Sequence, residues 1–162
     1  MRTAIYPGSF DPITLGHLNI IRRAARLFDS VVVCVMVNSG KQRPMFTIDE
    51  RVELIRKVTA RFPNVQVDCS AQLLAEYAEK YEKPVIVKGL RAVSDFESEF
   101  QMALINKKMN PKLDTLFLAA GEKYTYLSST VVKEMGRYGA DLREFVPVEI
   151  LDEVRARTRD WR

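Results

Sequence analysis

The chain has 162 residues, enough for one domain with a core of its own. Hydrophobic residues make up 47% and charged residues 28%, a balance that excludes a disordered or fibrous chain. The net charge of +4 is mildly basic and fits either an ordinary solvated surface or a phosphate-rich partner.

Strand and helix signals then alternate from end to end. Thr3–Tyr6 is a short β-type run, followed by a loop carrying Pro7, Gly8, Pro12 and Gly16. Ile20, Ile21, Ala24, Ala25 and Phe28 recur at helical spacing, which predicts a helix over His17–Phe28. Val31–Val37 is a continuous apolar run rich in valine, the mark of a strand covered on both faces in a parallel sheet. A polar loop, Asn38–Pro44, leads to Thr47-Ile-Asp-Glu50, a capping box that opens a helix stopping before Pro63. Val65–Cys69 alternates as a strand, Leu73–Tyr81 reads as a helix, and Pro84–Val87 is another buried strand. A long helix over Asp95–Met109 precedes the fifth strand, Thr115–Ala119. The next helix opens at Ser128–Thr130 and closes near Gly136–Gly139, and Pro147 takes a first-turn position of a final arginine-rich helix. The expected fold is α/β: one doubly wound domain, residues 1–162, on a five-stranded parallel sheet.

Val31–Val37 is far too short to cross a bilayer, and Met1–Tyr6, broken by Pro7-Gly8, is no export signal. A soluble cytoplasmic protein with no membrane role is expected. Cys34 and Cys69 lie in strand-like surroundings without metal-site spacing and are expected to be reduced, buried thiols.

In doubly wound sheets ligands bind beyond the carboxyl ends of the strands, where the strand order reverses. The strand-end loops carry Ser9 and His17, then Lys41, then Lys88 and Arg91, then Tyr124–Thr130. Each residue alone has an ordinary explanation: a capping histidine, solvated lysines, a capped helix. Together they read as phosphate chemistry. Neither a P-loop nor a dinucleotide fingerprint is present. Gly8-Ser9 instead frees the backbone for close approach, and His17, the chain's single histidine, sits at a helix opening that suits an anion. Arg91 offers a bidentate guanidinium, and one hydroxyl of Ser128-Ser129-Thr130 suffices for a cap, leaving others for a phosphate.

Pro7-Gly8-Ser9-Phe10-Asp11-Pro12 with Thr14-x-Gly-His17, and Leu127-Ser-Ser-Thr130-x-x-Lys133, resemble the two signatures of the nucleotidyltransferase superfamily. Lys88-Gly-Leu-Arg91-Ala-Val-Ser-Asp-Phe-Glu97 is similar to a segment of bacterial phosphopantetheine adenylyltransferases, and the likeness runs from about Thr3 to Phe145. The resemblance implies a Rossmann-like nucleotidyltransferase fold and transfer of AMP from ATP to 4′-phosphopantetheine, giving dephospho-coenzyme A and pyrophosphate in coenzyme A biosynthesis. It implies His17 and Lys41 as catalytic residues. ATP would be bound by Ser9, Phe10, His17, Gly89, Leu90, Arg91, Glu99 and the stretch Tyr124, Thr125, Tyr126, Leu127, Ser128, Ser129 and Thr130. The acceptor would be bound by Ser9, Lys41, Leu74 and Lys88. Mg²⁺ is expected on the ATP phosphates with no protein ligand named, and a homohexamer is implied. Gln72 stands where some members carry an acid and receives no role, and Tyr124-Thr125-Tyr126 departs from the usual sequence at the adenine.

No serine–histidine–carboxylate set is visible, so direct in-line attack by the acceptor phosphate, without a covalent enzyme intermediate, is expected. A sister enzyme acting on nicotinate mononucleotide or using CTP would share the Gly-His motif, but the Lys88–Glu97 stretch argues against it. A nucleic-acid-binding protein would show a basic face studded with aromatics. Here the positive charges outside the loops keep company with Glu and Asp, as in Glu149–Arg159, which reads as a solvated helix face, so no nucleic-acid partner is expected.

Overall fold

In a computed structural model, which describes residues 1–37, 40 and 43–161, the expected alternation closes into one sheet. The strands are β1 (Thr3–Gly8), β2 (Ser30–Met36), β3 (Val65–Ser70), β4 (Pro84–Leu90) and β5 (Asp114–Ala119). All pairings are parallel, in the order β3-β2-β1-β4-β5. The chain winds outward from β1 through β2 to β3, then returns to β4 on β1's other side. The topological switch therefore falls between β1 and β4, where ligands of such sheets bind.

The helices are α1 (Leu15–Leu27), α2 (Ile48–Thr59), α3 (Leu74–Tyr77), α4 (Val93–Met109), α5 (Ser129–Arg137) and α6 (Leu151–Asp160). Side chains of successive strand residues alternate between two cores. Ala4, Tyr6, Val31, Val33, Val35 and Val87 meet the apolar faces of α1, α2, α5 and α6. Ile5, Val32, Cys34 and Ile86 face the opposite way, against Ala75, Tyr77 and Ala78. Val31–Val35 are buried without exception, which explains the unbroken apolar run of β2.

Four local expectations are corrected. α1 begins at Leu15 rather than His17, because Thr14 takes the N-cap and His17 becomes the third helical residue. The helix expected over Leu73–Tyr81 is one α-turn followed by a 3₁₀ turn, Ala78–Lys80. Pro147 precedes a separate 3₁₀ turn, Val148–Ile150, and the arginine-rich helix starts only at Leu151. Cys34 is buried as expected but Cys69 is exposed, since β3 is an edge strand with one neighbour.

Candidate active site

The loop leaving β1 is the centre of the site. Phe10 is buried with a left-handed backbone, φ 48°, and its ring fills the space a Cβ on Gly8 would need, 3.1 Å away. Gly8 is thus required by Phe10. Phe10 in turn packs edge-on against Tyr6 and His17, with ring centroids 5.3 and 5.0 Å apart.

Thr14 and His17 form a reciprocal cap. The His17 backbone N–H donates to Thr14 Oγ1 at 3.3 Å, and the Thr14 backbone N–H donates to His17 Nδ1 at 3.0 Å. An accepting Nδ1 carries no proton, so the neutral ring bears its hydrogen on Nε2. The cap reading and the phosphate-donor reading of this histidine are therefore compatible: one nitrogen holds the turn and the other remains a donor. Burial lowers the pKa of His17 to about 4, helped by the positive charges of Arg91 and Lys88. At neutral pH the ring is an uncharged donor. Its helix supplies little else, because the Leu15 N–H already donates to Phe145 O at 2.9 Å.

Parallel pairing of β1 with β4, Ile5 opposite Ile86, sets the end of β4 beside the end of β1 and brings the charges of Arg91 and Lys88 to bear on His17. Lys88 Nζ lies 3.4 Å from Glu99 Oε2, so two residues expected on different substrates face each other. Arg91 Nη1 donates to Leu127 O at 2.9 Å and its Nε lies 3.3 Å from Asp95 Oδ2, which ties β4 to the entrance of α5. Gly89 faces α1 closely: a Cβ there would stand 3.1 Å from Ile20 Cγ1.

At α5 the three hydroxyls divide their work. Ser128 caps the helix by accepting from the Val131 N–H at 3.2 Å, and Ser129 Oγ donates to Pro12 O at 2.7 Å. Thr130 stays exposed on the first turn, whose N–H groups the helix itself leaves unsatisfied. Leu127 is buried in the core, Tyr124 packs partly against it, and Thr125 and Tyr126 are exposed. Leu74 is partly buried against the Ile5 and Val32 cluster. Ser9 is half-buried at a cleft of about 960 Å³ that runs past Thr130, Lys133 and Arg137. Lys41 lies outside the described residues. A second groove, about 530 Å³ between α2 and α6, is lined by Asp49, Glu50, Glu53 and Glu153 and is unsuited to a polyanion.

Asp11, Arg51 and Lys133 hold the site together, and no role was expected of them. Asp11 and Arg51 are only 6% and 7% exposed. Asp11 accepts from the Met45 and Phe46 N–H groups at 2.9 and 2.8 Å and pairs with Lys133 Nζ at 2.8 Å, while Arg51 Nη1 donates to Ser9 O at 2.9 Å. Asp11 and Lys133 stood in the quoted motifs; Arg51 had only its place beside the apolar face of α2.

Residues 5–135 match the model of the cytidylyltransferase-like family. A phosphopantetheine adenylyltransferase of Caldanaerobacter subterraneus is 58% identical over 147 residues, 91% of each chain. One from Clostridium botulinum is 48% identical over 155 residues, 96% of this chain and 94% of the relative. A solved structure described as a putative nicotinate-nucleotide adenylyltransferase from Vibrio parahaemolyticus superposes with a TM-score of 0.68 at 19% identity, covering 94% of this chain and 97% of its own, and bears on the fold alone. The chain is thus a nucleotidyltransferase of the cytidylyltransferase-like class. Within that class it belongs to the phosphopantetheine adenylyltransferase family.

Proposed function

We propose that this chain transfers the adenylyl group of ATP to 4′-phosphopantetheine, releasing pyrophosphate and giving dephospho-coenzyme A, a step of coenzyme A biosynthesis in the cytoplasm. The observation that carries the reading is the fixed, uncharged His17: Nδ1 is occupied by the Thr14 N–H, and Nε2 is a donor beside two cations at the β1/β4 switch point.

The acceptor phosphate is already a nucleophile, so catalysis consists of positioning and charge stabilisation. It attacks the α-phosphorus in line with the departing pyrophosphate, with no covalent enzyme intermediate. His17 Nε2–H donates to an α-phosphate oxygen as charge grows there. Arg91, Thr130 and the first-turn N–H groups of α5 receive the β- and γ-phosphates, with Ser128 and Ser129 holding that turn in place. Lys88 and Lys41 draw in the acceptor phosphate, Ser9 stands between the substrates, and Leu74 lies along the pantetheine arm. Gly89, Leu90, Glu99 and Tyr124–Leu127 border the nucleotide. Phe10, being buried, acts by supporting His17.

Mg²⁺ enters as the ATP complex. Asp11, the buried carboxylate nearest Ser9 in sequence, is already committed to two backbone N–H groups and Lys133. Mg²⁺ would be held mainly by phosphate oxygens and water, where it would offset phosphate charge, and no residue of this chain is assigned to it.

A homohexamer is part of the same reading. α4 exposes Phe96, Phe100, Met102, Leu104, Ile105 and Met109, each at least 42% accessible, which supports a surface made for other copies. The test of function is a coupled assay with ATP, Mg²⁺ and 4′-phosphopantetheine. Equimolar dephospho-coenzyme A and pyrophosphate are expected; pyrophosphate release with nicotinate mononucleotide instead would overturn the assignment.

A further inference from the structure

We infer that Asp11 is a positioning residue for adenylyl transfer, its buried carboxylate locking the Ser9 turn, the backbone entering α2 and the helix α5 into one rigid frame. The inference rests on the proposed function.

Both carboxylate oxygens are used. Oδ1 accepts from the Phe46 N–H at 2.8 Å; Oδ2 accepts from the Met45 N–H at 2.9 Å and from Lys133 Nζ at 2.8 Å. Three of the roughly four acceptor sites of the carboxylate are engaged within the protein and Asp11 is only 6% exposed, so its work is geometric. The frame closes on itself. Arg51 of α2 reaches back to Ser9 O, and Ser129 of α5 reaches Pro12 O, so the turn is held on both flanks of Asp11. Between those anchors lies Phe10 in its left-handed conformation, a state that persists only where surroundings over-determine it. Phe10 is also the ring against which His17 rests. Met45 is held from its other side, its carbonyl accepting from Arg157 Nη1 at 2.8 Å, and it follows Lys41 by four residues in the sequence. Asp11 thus fixes by one carboxylate the turn that supports His17, the anchor of the segment after Lys41, and the helix that meets the nucleotide phosphates. Loosening it misplaces reacting groups without removing any of them.

The experiment compares Asp11→Asn, Lys133→Met and Val58→Ala, the last a core truncation about two turns past Arg51 on α2 that lowers stability without removing any hydrogen bond of the frame. Wild-type turnover is measured first. Its absence counts against the functional reading, whereas wild-type turnover carried unchanged into a folded Asp11→Asn counts against this one. ATP affinity is read separately from the fluorescence of Trp161, the chain's single tryptophan, which lines the cleft beside Lys133. Asp11→Asn is expected to lower kcat about ten- to a hundredfold, the scale of misplacement by an ångström, while the ATP dissociation constant moves by less than about threefold. Val58→Ala should lose melting temperature and keep its kcat; an equal loss of kcat there would reduce the effect to general loosening and overturn the inference. If Asp11→Asn does not fold, Lys133→Met decides, since it leaves both backbone bonds of Asp11 in place. A smaller fall in kcat at unchanged ATP affinity is expected; wild-type kcat, or a loss confined to ATP affinity, would refute the frame.

Discussion

His17 is held at Nδ1 and left open at Nε2, and its pKa of about 4 is set first by burial and then by Arg91 and Lys88. The folded value lies below the free imidazole value of 6.5. Between about 4 and 6.5 the unfolded chain binds a proton that the folded chain does not. The contribution of this group to stability is therefore complete above pH 6.5 and declines as pH falls through that window. Because the chain has one histidine, its ring signals can be followed by NMR without assignment. They should stay in the neutral form as pH is lowered past 6.5, and a titration step centred there would contradict the partly buried, cation-flanked setting. His17→Ala should lower kcat by about two to three orders of magnitude with far less change in KM for ATP, as for loss of one preorganised donor. The cap of Thr14 by His17 was missed, the helix being expected to open at His17, but Thr14-x-Gly-His17 itself was legible as a motif. The division of labour among Ser128, Ser129 and Thr130 was not: Ser129 is spent on Pro12, 117 positions away, and no local pattern records that bond.

The C-terminal elements illustrate the same limit at larger scale. α5 and α6 cross at Gly136, where a Cβ would stand 2.3 Å from Thr158 Oγ1 and 2.5 Å from its Cβ. Thr158 is fully buried, so the contact cannot relax outward. Gly136→Ala should destabilise the fold by about 1–3 kcal/mol in denaturant unfolding, the ordinary cost of overpacking; a neutral or stabilising effect would mean that the helices separate readily. In the sequence Gly136 was legible only as part of a helix stop. The stop proper is Gly139, φ 75°, whose N–H donates to Gly136 O at 3.0 Å. The strands were legible because burial on both faces writes itself as an unbroken apolar run in β2 and short runs in β1 and β4. The function of α6 was not, because Arg157 acts across 107 positions, bonding Glu50 at 2.6 Å and stacking over Phe46 at 4.6 Å.

For the whole molecule, two features of the surface point in different directions. The carboxyl edge of the sheet gathers cations and donors around the β1/β4 switch, as a polyanion requires. α4, against β4 and β5, carries an apolar surface that a solitary chain would leave in water, including the stacked pair Phe96 and Phe100, centroids 5.4 Å apart. Self-association through α4 predicts that Phe100→Glu shifts the sedimentation coefficient to that of smaller species; an unchanged assembly would show that another surface joins the copies. The central claim is that the turns beyond β1, β4 and β5 form one anion site with His17 against the reacting phosphorus. A crystal structure with a non-hydrolysable ATP analogue tests it most directly. The account predicts an α-phosphate oxygen within hydrogen-bonding distance of His17 Nε2 and the outer phosphates at the first turn of α5. A triphosphate bound elsewhere, with Nε2 turned away from it, would contradict it.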